Sequence, residues 1–344
     1  MKAEHHATVV QRLASVLPLL GSFACASPGS PAPPEQRERE AEIETVEPDE
    51  ARPTPKQPRL VVHEWGTFTA RVDGRGNLQS WEASDRVEPL PTFVFESWVT
   101  PAKQNARGTV RMETPVLYFY ADEPTQASAK VEFPGGFLTE WYPSAIHQDT
   151  VERASLSWPS FTIVPGPDPE YPVSGDSHYY AARETDASPL EVVNGDTIER
   201  EKLLFYRGVG SFALPLEGSV GKTGIELVPT TELQGVIVVH RRGDALGFEV
   251  VGTLARARIL SIPALDDRLE DLTNELQRSL IAQGLYEREA AAMLATWQAL
   301  WFEDGLRVLY MVPRELTDRT LPLTLEPTPD ELVRVLVGRL DFSR

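Results

Sequence analysis

The nine residues that begin at His178, HYYAARETD, hold the densest group of side chains that could do chemistry. They follow a stretch rich in glycine and proline, and loops placed on a rigid scaffold often carry functional groups. The planar fork of Arg183 suits a carboxylate or a phosphate, and Asp186 could orient it or bind a cation. Any functional site is therefore expected to include Arg183 and Asp186 together with His178 or Tyr180. The structural alternative is an ion pair from Arg183 to Asp186 or Glu184 that fixes a loop to a sheet.

A ligand or metal site could also recruit side chains from distant parts of the chain, namely His63, Glu64, Glu140 and His147. His63 and Glu64 resemble the start of a zincin helix, in which a second histidine follows the first by four residues. Thr67 occupies that position and its neighbours are apolar, which favours a strand in which His63 makes a local hydrogen bond. No cofactor and no set of metal ligands is predicted, and no residue is assigned a catalytic role.

Tryptophan is concentrated in one part of the sequence. Five of the seven tryptophans lie between positions 65 and 158. They could line a groove for stacking sugars, but most tryptophans in a β-sandwich belong to the core, and the core interpretation is favoured.

Residues 59–263 have the pattern of short strands. Runs such as 116–120 and 236–239 are rich in β-branched and aromatic residues, and Gly, Pro and Asp separate them. No helical periodicity lies between the runs, whereas parallel strands would need crossover helices. The segment is therefore predicted to be a mainly β, antiparallel, sandwich-like domain.

The hydrophobic period changes in residues 264–344. One helical stripe is predicted from Leu265, Leu269, Leu272, Leu276 and Leu280. A second stripe ends at Trp297 and Trp301, so a helical hairpin should pack on the same core and make the fold α+β overall. The stretch 328–341 fits either a helix, from its capping-box start, or a strand, from its alternating valines.

Several long strings resemble an uncharacterised family of exported bacterial proteins whose domain starts with a VHEWGTFT segment. They are VHEWGTFT at 62–69, ETPVLYFY at 113–120, TEWYP at 139–143 and FYRGVG at 205–210. The resemblance extends from about residue 60 to 342. It implies a shared fold but no substrate, because the family has no known activity.

Residues 1–25 have the pattern of an export signal. A weakly basic start precedes the apolar run 13–24, which is too short to cross a bilayer as a mature helix. Cys25, the single cysteine, ends a lipobox-like Ser-Phe-Ala-Cys, with Ser22 where lipoproteins prefer leucine. The chain is therefore predicted to be a lipoprotein acylated at Cys25. Ordinary cleavage after Ala26, which would release a soluble periplasmic or secreted protein, is the alternative.

Residues 26–58 are predicted to form a disordered stalk. They contain eight of the 29 prolines and no aromatic residue. Such a segment buries too little apolar surface to offset the entropy lost on ordering.

The charge of the chain limits the classes of partner. The net charge is −18 over 344 residues, and no cluster of lysine and arginine is present that could hold a phosphate backbone, so nucleic acid is not predicted as a partner. We predict a lipid-anchored protein of the bacterial cell envelope, on the periplasmic side or the outer surface. It would act as a binding or envelope-structural module for a glycan or a protein. The alternative is an extracytoplasmic, metal-assisted hydrolase.

Overall fold

β-Strands make up most of the part of the chain that the computed structural model describes, residues 59–82, 90–97, 107–149 and 153–343. The strands are β1 Leu60–Val72, β2 Trp81–Glu82, β3 Phe95–Glu96, β4 Arg107–Gly108, β5 Val110–Ala121, β6 Thr125–Pro134, β7 Gly136–Tyr142, β8 Ile146–Asp149, β9 Arg153–Ile163, β10 Leu190–Asn194, β11 Thr197–Glu201, β12 Leu204–Gly210, β13 Leu216–Gly221, β14 Gly224–Pro229, β15 Leu233–Arg242, β16 Ala245–Leu254, β17 Arg258–Leu260, β18 Gly305–Met311, β19 Leu323–Glu326 and β20 Glu331–Phe342. The helices are α1 Leu269–Ala282, α2 Glu287–Trp301, α3 Arg314–Thr320 and a 3₁₀ helix at His178–Arg183. The predicted mainly β class with a C-terminal helical hairpin is confirmed.

The largest sheet has β1 at its centre. Its strand order is β16-β15-β18-β20-β1-β5-β12-β7-β3, so strands from the two predicted segments 59–263 and 264–344 share one sheet. Every residue of β1 except Arg71 is buried, so its polar residues His63, Glu64, Thr67 and Thr69 are enclosed with its apolar ones. β5 pairs with β1 in the antiparallel direction, whereas β20 pairs with it in the parallel direction. Most of the stretch 328–341 is therefore a strand, β20, which pairs with β1 and β18. Its alternate valines at 333, 335 and 337 face the helical side of the sheet.

A second sheet packs on one face of the large sheet. Its order is β11-β10-β9-β6-β19, and β8 pairs with β9. Trp158 and Phe161 of β9 pack in one core with Leu117 and Phe119 of β5. A third sheet, β13-β14-β17, adds further apolar side chains to this core. The arrangement is sandwich-like, because the inner faces of the sheets share one apolar layer.

The helices α1 and α2 cover the opposite face of the large sheet. Three leucines of the predicted stripe, at positions 272, 276 and 280, are buried there with Trp297 and Trp301. They pack with Trp65 of β1 and Val335 of β20. α1 begins at Leu269, so Leu265 precedes the helix, and Leu269 is 38% exposed at its first turn.

Alternation along β1 sends neighbouring residues to opposite faces. His63 and Trp65 point toward the helices, whereas Glu64 points toward the second sheet, because successive side chains of a strand leave opposite sides. The two residues of the zincin-like pair are therefore separated by the sheet itself. Within the described ranges, no helix combines the length and the apolar character needed to cross a bilayer.

Candidate functional site

Arg207 of β12 links two of the predicted site residues, Glu140 and His178. Arg207 is the cross-strand neighbour of Glu140 on β7, and such neighbours project from the same face of a sheet. Its Nη2 donates to Nε2 of His178 over 3.2 Å. The 3₁₀ helix brings His178 to this position, and Trp297 of α2 lies behind it with its ring centre 5.5 Å from the imidazole.

Glu140 is a buried carboxyl in a region of mixed charge. Burial raises the pKa of Glu140, while the positive charges of Arg207 and Arg111 act in the opposite direction and the carboxylate of Glu96 adds to the rise. The hydroxyl of Thr139 donates a hydrogen bond to Glu140. Glu140 is thus held in the protonated state more readily than an exposed glutamate.

Arg111 of β5 completes this cluster. Its Nε lies 3.7 Å from Oε1 of Glu113, and Oε2 of Glu113 accepts a hydrogen bond of 2.8 Å from Thr69. Nη1 of Arg111 is buried and has no hydrogen-bond partner among the described residues. The guanidinium carbon also lies 5.5 Å from the ring centre of Trp81, within range of a cation–π contact.

A small cavity opens between β5, β7 and β12 at these side chains. Its volume is about 10 Å³, which is the space for one water-sized particle. We call it the Arg111 cavity. It is lined by Arg111, Met112, Thr139, Glu140, Arg207, Gly208 and Val209.

Arg183 belongs to a separate, aromatic site. Its Nε and Nη2 donate to the two carboxylate oxygens of Glu201 over 2.9 and 2.6 Å, and the hydroxyl of Tyr179 donates to the same carboxylate over 3.0 Å. The guanidinium lies 4.9 Å from the ring centre of Tyr180 and 5.2 Å from that of Tyr171. This is a buried, bidentate ion pair in an aromatic enclosure.

Asp186 does not join Arg183. It is exposed and pairs instead with Arg288 in the first turn of α2. The expected ion pair from Arg183 to Asp186 or Glu184 is therefore wrong. Arg183 pairs with Glu201 instead. Glu201 lies 18 residues away at the end of β11, so local spacing gave no signal for it.

His63 and Glu64 are likewise buried in separate pairs. Nδ1 of His63 donates to Oε2 of Glu289 over 2.7 Å, and the hydroxyl of Tyr120 donates to Oε1 of the same carboxylate over 2.7 Å. On the other face, Glu64 accepts a hydrogen bond of 2.5 Å from Nε of Arg334 and another from the hydroxyl of Tyr206. The expectation that His63 hydrogen-bonds locally is wrong, because Glu289 is 226 residues away in sequence.

The eight proposed site residues thus do not form one site. Glu140 and His178 meet at Arg207, Tyr180 and Arg183 meet near Glu201, and the other four lie elsewhere. His147 pairs with Asp149 over 3.0 Å. In the described ranges, no three His, Cys, Asp or Glu side chains are placed to hold a metal ion. Cys25 lies outside the described residues.

The sequence interpretation missed Arg111, Arg207, Glu201 and Glu289. One signal was available, because a charged residue inside an apolar strand or at an inward helix position needs a buried partner. Arg111 and Glu113 are charged residues of this kind in β5, and Arg207 is one in β12.

The tryptophans that the structure describes do not form an exposed stacking surface. Those described between positions 65 and 158, namely Trp65, Trp81, Trp141 and Trp158, are all buried. Their role as core residues is confirmed for these four.

A wide groove of about 750 Å³ lies at the surface beside α3. We call it the Phe212 groove. Its walls are the segments 212–215 and 230–231, Pro134 and Pro313, and the face of α3 that carries Glu315, Leu316, Arg319 and Thr320. The ring of Phe212 is held edge-on against Phe68, with ring centres 5.0 Å apart.

Comparison with known proteins does not assign the chain to a family. No family model matches the chain, and no curated protein matches it. Among solved structures, the chain is similar to the Fcho1 Mu homology domain of Danio rerio with a bound Eps15 peptide, at 10% identity and a TM-score of 0.32. The match covers 83% of this chain and 97% of that one. At this TM-score the similarity carries no argument about the fold or the function of this chain.

Proposed function

We propose that this protein is a binding module of the bacterial cell envelope, tethered through Cys25, that takes an extended segment of a partner protein in the Phe212 groove. The observation that carries the proposal is the groove itself. It combines apolar walls of proline, leucine and alanine with threonine hydroxyls and a charged rim. Binding sites commonly join an apolar surface with a few polar groups that fix orientation.

The composition of the groove favours a peptide over a glycan. Sugar binding usually relies on exposed aromatic faces, but Phe212 is the single aromatic residue among the described residues that line the groove, and it packs against Phe68. Glu315 and Arg319 are exposed and four residues apart on α3, so they share one face and present both signs of charge to a peptide. Pockets for alternate side chains together with polar groups for the main chain suit an extended segment.

The placement of the ionisable residues also favours binding over catalysis. Arg183, Glu64 and His63 are engaged in buried pairs. A general acid or base must reach the substrate within hydrogen-bond distance, and these pairs are enclosed by the core. The Phe212 groove is open to a ligand from solvent, whereas the buried ion pairs are enclosed by the core.

A random peptide library displayed on phage tests the proposal. Selection on the parent protein should include counter-selection on Ala213→Trp, because Ala213 is exposed and its replacement fills the groove without changing the core. Selected peptides, made synthetically, should bind the parent and lose at least about tenfold in affinity on Ala213→Trp in fluorescence anisotropy. Val173→Trp is the matched control, because Val173 is 73% exposed and lies outside the groove. Equal binding to Ala213→Trp, or no enriched peptide, would contradict the proposal.

The second candidate function is an extracytoplasmic hydrolase. Glu140 favours it, because a buried carboxyl with a raised pKa beside a cavity is a common form of general acid. The Arg111 cavity, however, has space for only one water-sized particle. Stoichiometric metal in protein purified without chelator, together with ester hydrolysis that is lost in Glu140→Gln, would favour the hydrolase over the binding module.

A further inference from the structure

We propose that a pocket between the large sheet and the third sheet binds an amphipathic monocarboxylate, that is, an anion with a single carboxylate and an apolar tail. The pocket has a volume of about 340 Å³, and we call it the Arg242 pocket. Its lining includes Val220, His240, Arg242, Ile262, Leu306 and Phe342. It is independent of the Phe212 groove, because the two share no lining residue.

Three neighbouring strands of the large sheet form one wall of the pocket. His240 of β15 pairs in register with Leu306 of β18, and Leu306 pairs with Phe342 of β20. Side chains at paired positions project from the same face of a sheet, so these three line the pocket side by side. Nδ1 of His240 donates to the carbonyl of Pro263 over 3.1 Å, which fixes the ring. This wall is therefore already formed before a ligand arrives.

The third sheet adds apolar side chains to the pocket. They are Val220 of β13 and Ile262, which follows β17. Val220 and Leu306 also pack against the apolar layer between the sheets, so the pocket adjoins that layer. Ile262 is 43% exposed, and a ligand tail that covered it would remove apolar surface from water. The walls therefore suit an alkyl or aryl tail rather than a ligand that is polar throughout.

Arg242 supplies the positive charge of the pocket. It lies two residues after His240 on β15, so both side chains leave the same face of the strand. Its neighbour Arg241 is paired with Gly305, the first residue of β18, so Arg242 extends beyond that strand at the rim of the pocket. Arg242 is exposed and makes no ion pair or hydrogen bond with the residues that the structure describes. Its planar fork is therefore available to both oxygens of a ligand carboxylate.

The acidic residues around the pocket do not occupy Arg242. Asp304 accepts a hydrogen bond of 2.8 Å from the amide of Gly243, and Asp341 pairs with an arginine of its own strand over 2.7 Å. Asp244, two residues after Arg242, is exposed and does not pair with it. No Asp or Glu is among the described residues that line the pocket. The single charge of the guanidinium matches a carboxylate better than a phosphate monoester, which carries a charge of about −1.5 to −2 at neutral pH.

Isothermal titration calorimetry of the full chain with decanoate, kept below its micelle concentration, tests the site. The parent should bind decanoate saturably. Arg242→Gln should weaken the binding at least about tenfold, because it removes the charged donor. Arg256→Gln is the charge-matched control and should bind as the parent does, because Arg256 is exposed and lies outside the pocket. Decanol, which keeps the tail but lacks the charge, should bind at least about tenfold more weakly than decanoate.

Filling the pocket gives a second test. Gly74 lines the pocket, its φ is not positive, and no atom lies within 4 Å of the position that a Cβ would take. Gly74→Trp should therefore fill the pocket without disturbing the core and abolish decanoate binding. Gly221→Trp is the matched control, because Gly221 is similarly open and lies outside the pocket. Ala213→Trp, which fills the Phe212 groove, should leave decanoate binding unchanged, so failure of this site and failure of the peptide site are distinguishable.

Crystals of the parent with 10-bromodecanoate give a test that does not depend on variants that fail to fold. The expected result is an anomalous bromine peak beside Val220 and Leu306. Absence of both the peak and saturable decanoate binding would overturn the proposal. Decanoate binding retained in full by Arg242→Gln or by Gly74→Trp would overturn it as well. Tighter binding of decyl phosphate than of decanoate would overturn the assignment of a carboxylate.

Discussion

At the scale of the residue, several buried arginines join elements that are distant in sequence. Arg334 reaches Glu64 across 270 residues, and Arg183 is bound to Glu201. Arg307 donates to the carbonyls of Leu300 and Trp301 over 3.1 and 2.6 Å and so satisfies acceptors at the end of α2. Removing one partner of such a pair leaves the other charge buried without compensation.

This reasoning separates Arg183 from Asp186, which the sequence had placed in one site. Arg183→Ala or Glu201→Gln should lower the free energy of unfolding by about 3 to 5 kcal/mol, because the pair is almost fully enclosed. Asp186→Ala is the matched control and should cost less than about 1 kcal/mol, because its pair with Arg288 is exposed. Urea denaturation of the three variants measures the difference. Similar small losses in all three would show that Arg183 is not a structural residue.

Glu140 should leave a signature in the pH dependence of stability. Burial raises its folded-state pKa above the ordinary value of 4.5, so the folded state binds the proton more tightly than the unfolded chain does. The stability that this provides is complete below about pH 4.5 and declines as the pH rises through the folded-state pKa. Relative to Glu140→Gln, the parent should therefore lose free energy of unfolding as the pH rises above about 4.5. Urea titrations at a series of pH values measure this, and a constant difference between the two proteins would contradict it.

At the scale of the element, the helical hairpin is part of the same core as the large sheet. Trp297 and Trp301 are four residues apart on α2, so both rings face the sheet, where they are fully buried. Two short helices alone could not enclose them, since isolated helices of this length are marginal in water. The sheet in turn needs the helices, because Trp65 and Val335 would otherwise be exposed.

Trp297→Ala should therefore lower the free energy of unfolding by about 3 to 5 kcal/mol through loss of buried surface and the cavity left behind. Gln298→Ala, on the exposed face of the same helix, should change it by less than about 0.5 kcal/mol. Both variants should still unfold in one transition by fluorescence and by circular dichroism. A separate early transition in Trp297→Ala would mean that the hairpin is not part of one cooperative unit.

At the scale of the whole molecule, we propose that a β-rich domain is tethered to the membrane through Cys25. The described residues belong to one compact unit, Lys56–Arg344. If the anchor is present, the domain would be held near the envelope surface, and the groove would sample partners at a high effective concentration.

The anchor itself is testable in cells that express the full chain. Palmitate fed to these cells should label the parent and leave Cys25→Ser unlabelled, because Cys25 is the single cysteine that could carry the lipid. The labelled parent should sediment with membranes. Ala26→Gly is a control that keeps the cysteine and should stay labelled. An unlabelled parent in the culture supernatant would favour the released protein instead.

The sequence by itself determined the kinds of element and their faces. The leucine and tryptophan stripes predicted two helices, because side-chain periodicity is a local property of the backbone. The runs of β-branched and aromatic residues predicted strands, because residue preferences and the turn residues between the runs are local signals too. The four described tryptophans between positions 65 and 158 were correctly favoured as core residues, because most tryptophans in a β-sandwich belong to the core. The sequence did not decide between a helix and a strand for 328–341, because the capping-box start favours a helix and the alternating valines favour a strand.

Only the tertiary structure decided which faces meet. Pairing β20 with β1 in the parallel direction makes 331–342 a strand, and that pairing joins residues about 270 positions apart. Long-range contacts also pair His63 with Glu289 and Arg183 with Glu201. They place Arg207 beside both Glu140 and His178. Periodicity shows that a charged residue points inward but not which strand lies opposite, because strand order and register depend on how the whole chain minimises its exposed apolar surface and satisfies its buried charges.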